Sequence, residues 1–213
     1  LTSDIRHALR GWRSAPGFTL VALATLAIGI GATTAIWSVV YGVLLRPLPF
    51  PEADRVVMAG HSYRGGEFEA SISASSFLFL REQQRTFDQM AAVTGWQPSV
   101  MLGAEPERLS AARVTARYFA TLQLRPLAGR DFQDGEDEVG RNSVVIRGET
   151  LWNRSFGRDP GVVGRTLLAD GESLEIIGVM PDALEAEGAR PELYRPVTFS
   201  EEQKNRQSWG WEW

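Results

Sequence analysis

The sequence predicts an α+β domain carried on one membrane-spanning helix. Three observations predict it. The 28 residues from Phe18 to Leu45 hold no charged side chain. After that run the chain turns polar and is punctuated by glycine and proline. In this later part, short apolar stretches of strand length alternate with short amphipathic ones, the mixture that argues α+β.

Charge divides the chain the same way. Residues 1–45 hold three arginines and one aspartate, whereas residues 46–213 carry a net charge of −6. An acidic domain of that kind does not bind nucleic acid, because phosphate backbones demand a basic face. Cysteine is absent from the 213 residues, which removes thiol catalysis, cysteine zinc sites and redox switching. A domain of this size buries enough core to stand without disulfides.

Taken in order, residues 1–17 form a juxtamembrane segment. Leu1, Ile5, Ala8, Leu9 and Trp12 share one helical stripe and Arg6, Arg10 and Arg13 lie off it or beside it, the pattern of an amphipathic helix in a membrane interface. Ser14-Ala15-Pro16-Gly17 is expected to break that helix. Residues 18–45 form the span. As a helix it would be about 42 Å long, against the roughly 30 Å of a hydrocarbon core, and it exceeds the apolar region of a cleavable signal. The three arginines before the span place the N-terminus in the cytoplasm and the large domain outside. Ala27, Gly31 and Ala35 recur four apart on one face. Small residues let helices approach closely in lipid, although glycine and alanine are also common in membrane helices generally.

Residues 46–213 form the extracytoplasmic domain. Pro47, Pro49 and Pro51 impose an extended, stiff exit from the membrane. Arg55 to Ala59 reads as a strand, and Ser75 as the cap of a helix through Phe77, Leu80 and Gln84. Met90 to Trp96 and Ser99 to Leu102 read as strands. Residues 103–106 turn the chain and Leu109 to Val114 returns as another strand. Thr115 is placed to cap a short helix holding Tyr118, Phe119 and Leu122. A loop from Leu124 to Gly140 contains the acidic run Asp131, Asp134, Glu136, Asp137 and Glu138. Ser143 to Arg147 is a buried strand, and Glu149 to Phe156 a helix offering Leu151, Trp152 and Phe156 for packing. Two apolar runs around Asp170-Gly171 make a hairpin. Glu192 to Val197 is a late strand, and Ser200-Glu201-Glu202-Gln203 fits a capping box.

Tests for catalytic chemistry are negative. A phosphate-binding Walker loop needs Gly-Lys-Ser/Thr, and the single lysine, Lys204, precedes Asn205. Neither a Gly-x-Ser-x-Gly elbow nor a His-Glu-x-x-His helix occurs. His61 reads as a solvated loop residue rather than a catalytic one. The acidic run lacks the ligand alternation of a calcium loop. No catalytic, cofactor-binding or metal-binding residue is assigned, and no cofactor is expected.

Several motifs resemble a known family. Ala15-Pro16-Gly17-Phe18-Thr19, Gly29-Ile30-Gly31-Ala32-Thr33-Thr34-Ala35-Ile36 and Leu44-Leu45-Arg46-Pro47-Leu48-Pro49-Phe50 resemble the opening of MacB/FtsX-like ABC transporter permeases, above all the acidobacterial-type duplicated orphan permeases. The resemblance continues through residues 125–132, 151–160 and 163–165, and closes on Asp170-Gly171 and Ile177-Gly178-Val179-Met180-Pro181. It departs at Leu122-Gln123-Leu124, where the family usually has Leu-Gly.

The resemblance implies a MacB-type periplasmic core domain of two mixed α/β lobes after the first helix, followed by further permease helices beyond Trp213. The chain, which begins at Leu1, then reads as part of a longer one. It implies a non-catalytic subunit of the bacterial inner membrane that transmits motion from a separate cytoplasmic ABC ATPase to the periplasmic domain, for export or release of a substrate. The implied partners are the membrane, that ATPase, the further helices and a second copy of the chain. Ala27, Gly31 and Ala35 are the expected helix-packing residues, and Pro47, Pro49 and Pro51 the expected coupling between helix and domain. The alternative is a single-pass, membrane-anchored periplasmic sensor or adaptor.

Overall fold

The apolar run folds into one long helix. The computed structural model of the chain describes residues 16–42, 51–62, 66, 68–103, 105–182 and 190–204. Helix α1 spans Pro16–Val40. Proline opens it because the first helical residue has no amide partner in any case, so Gly17 lies inside the helix rather than in a break before it. At 1.5 Å per residue, α1 is about 37 Å long. Residues 1–15, with the expected interfacial stripe, and residues 43–50 lie outside the described residues. The chain divides into two compact units, Leu1–Pro47 and Leu48–Trp213.

The second unit mixes helices and strands. It opens with a 3-10 turn at Ala53–Arg55 where a strand was expected. Strands β1 (His61–Ser62) and β2 (Phe68–Glu69) pair as a small hairpin. Helix α2 is Ala74–Gln83, and its cap is Ser73, whose side chain accepts from the Ser76 amide. Ser75 lies inside the first turn, so the cap falls two residues before the expected one.

A nine-stranded sheet follows. Its strands are β3 (Val93–Trp96), β4 (Ser99–Met101), β5 (Pro106–Arg108), β6 (Ala111–Val114), β7 (Ala128–Gly129), β8 (Val144–Gly148), β9 (Thr166–Ala169), β10 (Glu172–Met180) and β11 (Leu193–Pro196). Between them lie helices α3 (Tyr118–Thr121) and α4 (Glu149–Phe156). Helix α5 (Glu201–Lys204) closes the described chain. The order is β3-β6-β11-β8-β10-β9-β4-β5, with β7 on β10.

The expected strand Leu109 to Val114 is present as β6 over Ala111–Val114, and a strand that was not expected, β5, precedes it at Pro106–Arg108. β3 and β4 are separated only by Gln97-Pro98, and β5 and β6 only by Leu109-Ser110. β6 joins β3 and β11, whereas β4 joins β5 and β9. The Leu109 amide donates to Pro98 O at 3.0 Å. One long, bent hairpin therefore supplies both ends of the sheet, which curls so that its two margins are covalently continuous.

Alternation along the central strands builds two cores. Ala111, Val145, Ile176, Val179 and Leu193 face one cluster, with Trp96, Val100 and Leu151 and Trp152 of α4. Ala112, Ile146, Ile177, Met180 and Tyr194 face the other, with Tyr118 and Phe119 of α3 and Phe132. A register shift between Ile176 and Gly178 puts Ile176 and Val179 on the same face, three residues apart rather than two. A third cluster of Ala74, Phe77, Val197 and Phe199 forms a smaller lobe around α2, with Phe77 and Phe199 stacked at 6.1 Å.

The glycine and polar punctuation has local causes. Asp170 and Gly171 have φ of 50° and 80°, the two positive values that a two-residue hairpin with matching twist requires. Ser200 and Gln203 exchange backbone-to-side-chain bonds at 2.9 and 3.2 Å, a reciprocal capping box. Thr115 does not cap α3; its hydroxyl accepts from the Ala92 amide at 3.1 Å. Gly129 and Gly178 oppose each other in the β7–β10 pair. A Cβ at Gly178 would stand 2.3 Å from Arg130 O, so only glycine permits this approach.

Candidate coupling site

The expected helix-packing residues lie on α1, where Ala27, Gly31 and Ala35 are all exposed. They cover about 12 Å of one helix face. A Cβ at Gly31 would meet nothing within 4 Å, which leaves the face open to a close neighbour. The hydroxyls of Thr25, Thr33 and Thr34 donate to the carbonyls of Val21, Gly29 and Ile30 at 2.9, 2.8 and 2.7 Å. These hydroxyls thus find acceptors on the helix's own backbone.

Of the expected coupling prolines, Pro47 and Pro49 lie outside the described residues. Pro51 is exposed in the turn that opens the domain. The structure adds residues here that sequence reasoning missed. Glu52 has φ 50° and ψ 39°. Its Oε2 accepts from Gln123 Nε2 at 3.0 Å and from Arg55 Nη1 at 2.9 Å. Those two partners, Gln123 first, hold the Glu52 carboxyl below the ordinary glutamate range. Arg55 Nη2 also reaches Asp88 at 3.3 Å. Ala53 and Val56 pack against the cluster that contains Phe119 and Leu122. The one signal in the sequence was the departure at Gln123.

The acidic run is taken up by arginines and backbone amides. Glu136 accepts from both terminal nitrogens of Arg130 at 3.0 and 2.6 Å, and from the Gln133 amide at 2.8 Å. Asp134 pairs with Arg117, and Asp137 accepts from the Ala116 amide at 3.3 Å. Asp131 accepts from the Phe132 amide at 2.7 Å; burial raises its carboxyl pKa. Among the described residues, no three His, Asp or Glu side chains converge as a metal site. His61 Nδ1 lies 2.8 Å from Ser71 O. A cleft of about 320 Å³ between α2 and this loop is lined by Arg81, Met90, Thr115, Arg117, Asp134 and Asp137.

Two buried arginines differ. Arg195 donates to Asn142 O at 3.1 Å and to Glu172 at 2.6 Å. Arg147 on β8 is fully buried, and its three side-chain nitrogens have no hydrogen-bond partner. Its guanidinium carbon sits 3.7 Å from the centre of the Phe156 ring. Burial pushes its pKa down to about 10, with repulsion from Arg154 adding to the effect and Glu192 opposing it.

α4 and the turn after it explain one of the family-like motifs. Leu151 and Trp152 enter the core, and Gly157 ends the helix at φ 53°. Asp159 then caps the Pro160–Val162 turn through the Gly161 amide at 2.9 Å. Two further motifs, residues 125–132 and 177–181, meet in the β7–β10 pair. The family model for the MacB-like periplasmic core domain matches residues 19–211. The chain belongs to the MacB-like periplasmic core domain family.

A solved structure shares the fold. The periplasmic region of MacB from Actinobacillus actinomycetemcomitans is 18% identical, with a TM-score of 0.50 over 65% of this chain and 62% of that one. The extracellular domain of the noncanonic ABC-type transporter YknZ from Gram-positive bacteria is 20% identical, with a TM-score of 0.47 over 59% of this chain and 63% of that one. The chain spans less than two thirds of the length of these relatives. No curated protein matches the sequence. The arrangement supplies an apolar helix, a short exit segment and a rigid two-faced sheet.

Proposed function

We propose that this chain is the N-terminal part of a MacB/FtsX-type ABC transporter permease. It transmits motion driven by a separate cytoplasmic ATPase to an extracytoplasmic domain, for export or release of a substrate. The observation that carries this reading is the joining of an apolar helix, α1, to a MacB-like periplasmic core domain in one continuous family match. In this reading residues 1–17 lie on the cytoplasmic side, residues 18–45 cross the membrane and residues 46–213 form the periplasmic domain. The subunit itself is not an enzyme. Ala27, Gly31 and Ala35 pack against further helices, and Pro47, Pro49 and Pro51 stiffen the exit from the bilayer.

Topology tests the reading first. The natural absence of cysteine lets a single introduced thiol report its side of the membrane. In intact spheroplasts an impermeant maleimide is expected to label Ser62→Cys and not Ser3→Cys. The reverse pattern overturns the orientation and the transmission with it. Co-purification of the full-length protein with an ABC ATPase, and substrate movement dependent on ATP, complete the test. A correctly oriented chain without such an ATPase supports a single-pass sensor or adaptor instead.

A further inference from the structure

The position after α3 suits glycine, yet it holds a glutamine whose side chain is used. The Gln123 amide donates to Ala120 O at 3.1 Å, and the Leu124 amide to Phe119 O at 2.9 Å. This is a helix stop that turns the chain through a left-handed residue, a place glycine occupies without strain. Gln123 stands there with φ 54°. Glu52, 71 residues earlier, is also left-handed at φ 50° and also not glycine. Strained residues of this kind persist when surrounding contacts over-determine them. Here the two strained residues hold each other, through Gln123 Nε2 to Glu52 Oε2 at 3.0 Å.

The contacts around that bond point the same way. Arg55 shares the same Glu52 oxygen and extends to Asp88 beyond α2. Ala53 and Val56 lie against the cluster of Phe119, Leu122 and Tyr194. The segment Pro51–Val56 is the first described stretch after the membrane helix and its prolines. It is thus held to the domain by the Gln123–Glu52 bond at the end of α3, by Arg55 on Asp88 and by Ala53 and Val56 against the aromatic cluster. A linker meant only to connect would need none of this.

We propose that Gln123 is a positioning residue that fastens the exit segment 51–56 to α3 through Glu52, so that displacement of the exit is delivered to the Phe119–Tyr194 face of the sheet. The inference rests on the reading of the chain as a transmitter. The tether and the transmission are separable by experiment.

Hydrogen exchange on the 213-residue chain in lipid nanodiscs, read on a peptide covering residues 51–58, tests the tether. Gln123→Gly removes the side chain and relieves the backbone. It should raise exchange there about fivefold, the factor expected for loss of one net hydrogen bond, while the denaturation midpoint of the domain holds or rises. Gln123→Arg, which keeps a donor of similar reach, should restore protection. Unchanged exchange in Gln123→Gly overturns the tether, and so does a falling midpoint with no rescue by arginine. In the full-length transporter with its ATPase, transported substrate per ATP should fall in Gln123→Gly and recover in Gln123→Arg. Faster exchange with unchanged transport per ATP overturns the delivery of motion through this contact and leaves the transporter reading standing. A wild-type protein that shows no ATP-dependent transport overturns that reading and the delivery role together, whereas the exchange result still decides the tether.

Discussion

Helix α1 and strand β10 are both strongly apolar, yet they meet opposite surroundings. None of the 25 residues of α1 is buried, whereas β10 is buried continuously from Ile176 to Met180. Their glycines sharpen the contrast. A Cβ at Gly31 meets nothing within 4 Å, and one at Gly178 meets a carbonyl oxygen at 2.3 Å. An apolar helix satisfies its own backbone and needs only an apolar solvent or neighbour. An apolar strand buried on both faces needs partners from distant sequence on each side. The same residue type is therefore open to addition in one unit and closed to it in the other.

The largest expected effect breaks the closed side. Gly178→Ala should destabilise the domain by about 3 kcal/mol or more, because neither the opposing backbone nor the register can yield cheaply. Chemical denaturation followed by tryptophan fluorescence measures this. A change below about 1 kcal/mol, within the range of ordinary surface substitutions and small repacking, would show that β7 is free to move off β10.

Arg147 sharpens the comparison, since β8 buries a guanidinium that has no hydrogen-bond partner. Arg147→Leu should stabilise the domain by about 1–3 kcal/mol, as replacing a buried charge that lacks hydrogen bonds with an apolar group does. The pH dependence has a definite sign. Folding lowers the pKa of this cation to about 10, so between that value and the ordinary arginine range the unfolded chain binds the extra proton. The penalty is fully present below pH 10 and fades as pH rises through it. The advantage of Arg147→Leu over wild type should therefore narrow above pH 10. Denaturation midpoints of the two proteins from pH 8 to 11 read this directly.

A smaller effect is expected at the turn that ties the bent hairpin to β9 and β10. Asp170 accepts from the Ser99 amide at 2.8 Å and from Trp96 Nε1 at 3.2 Å. Asp170→Ala removes both bonds at a left-handed position and should cost about 1–2 kcal/mol. Asp170→Asn retains an acceptor and tolerates the backbone, so it should recover most of the loss in the same denaturation assay.

The smallest effect on stability is expected on the open side. Gly31→Leu should leave the domain within about 0.5 kcal/mol of wild type and its proteolytic protection unchanged. In the full-length protein with its ATPase, it should reduce transport or its coupling to ATP hydrolysis. Gly29→Leu, about 160° around the helix from Gly31, is the control. Silence of both substitutions in that assay would mean that the small-residue face is composition only.

Elements whose causes are local were legible in the sequence. The apolar span, the Asp170-Gly171 hairpin, α4 and the Ser200–Gln203 capping box each follow from residues within a few positions of one another. The expectations that failed turned on distant partners. Residues 55–59 have strand composition but find no strand to pair with among the described residues. Thr115 is drawn from a cap to the Ala92 amide 23 residues away. Sequence reasoning named Pro51 and the small-residue face as candidates for coupling and packing. It passed over Glu52 and Gln123, since only the folded chain brings them to 3.0 Å.

The sequence by itself determined that an uncharged helix precedes an acidic α+β domain, because hydropathy, charge and turn chemistry act over short range; its motifs added the resemblance to the MacB-like family. Only the tertiary structure decided which strands share an edge, that Gly129 and Gly178 touch backbone to backbone, and that Arg147 is buried on Phe156 without a hydrogen-bond partner. Those outcomes depend on pairings between residues tens of positions apart. Such pairings become favourable only when the whole sheet closes and the entropy of bringing its margins together has been overcome.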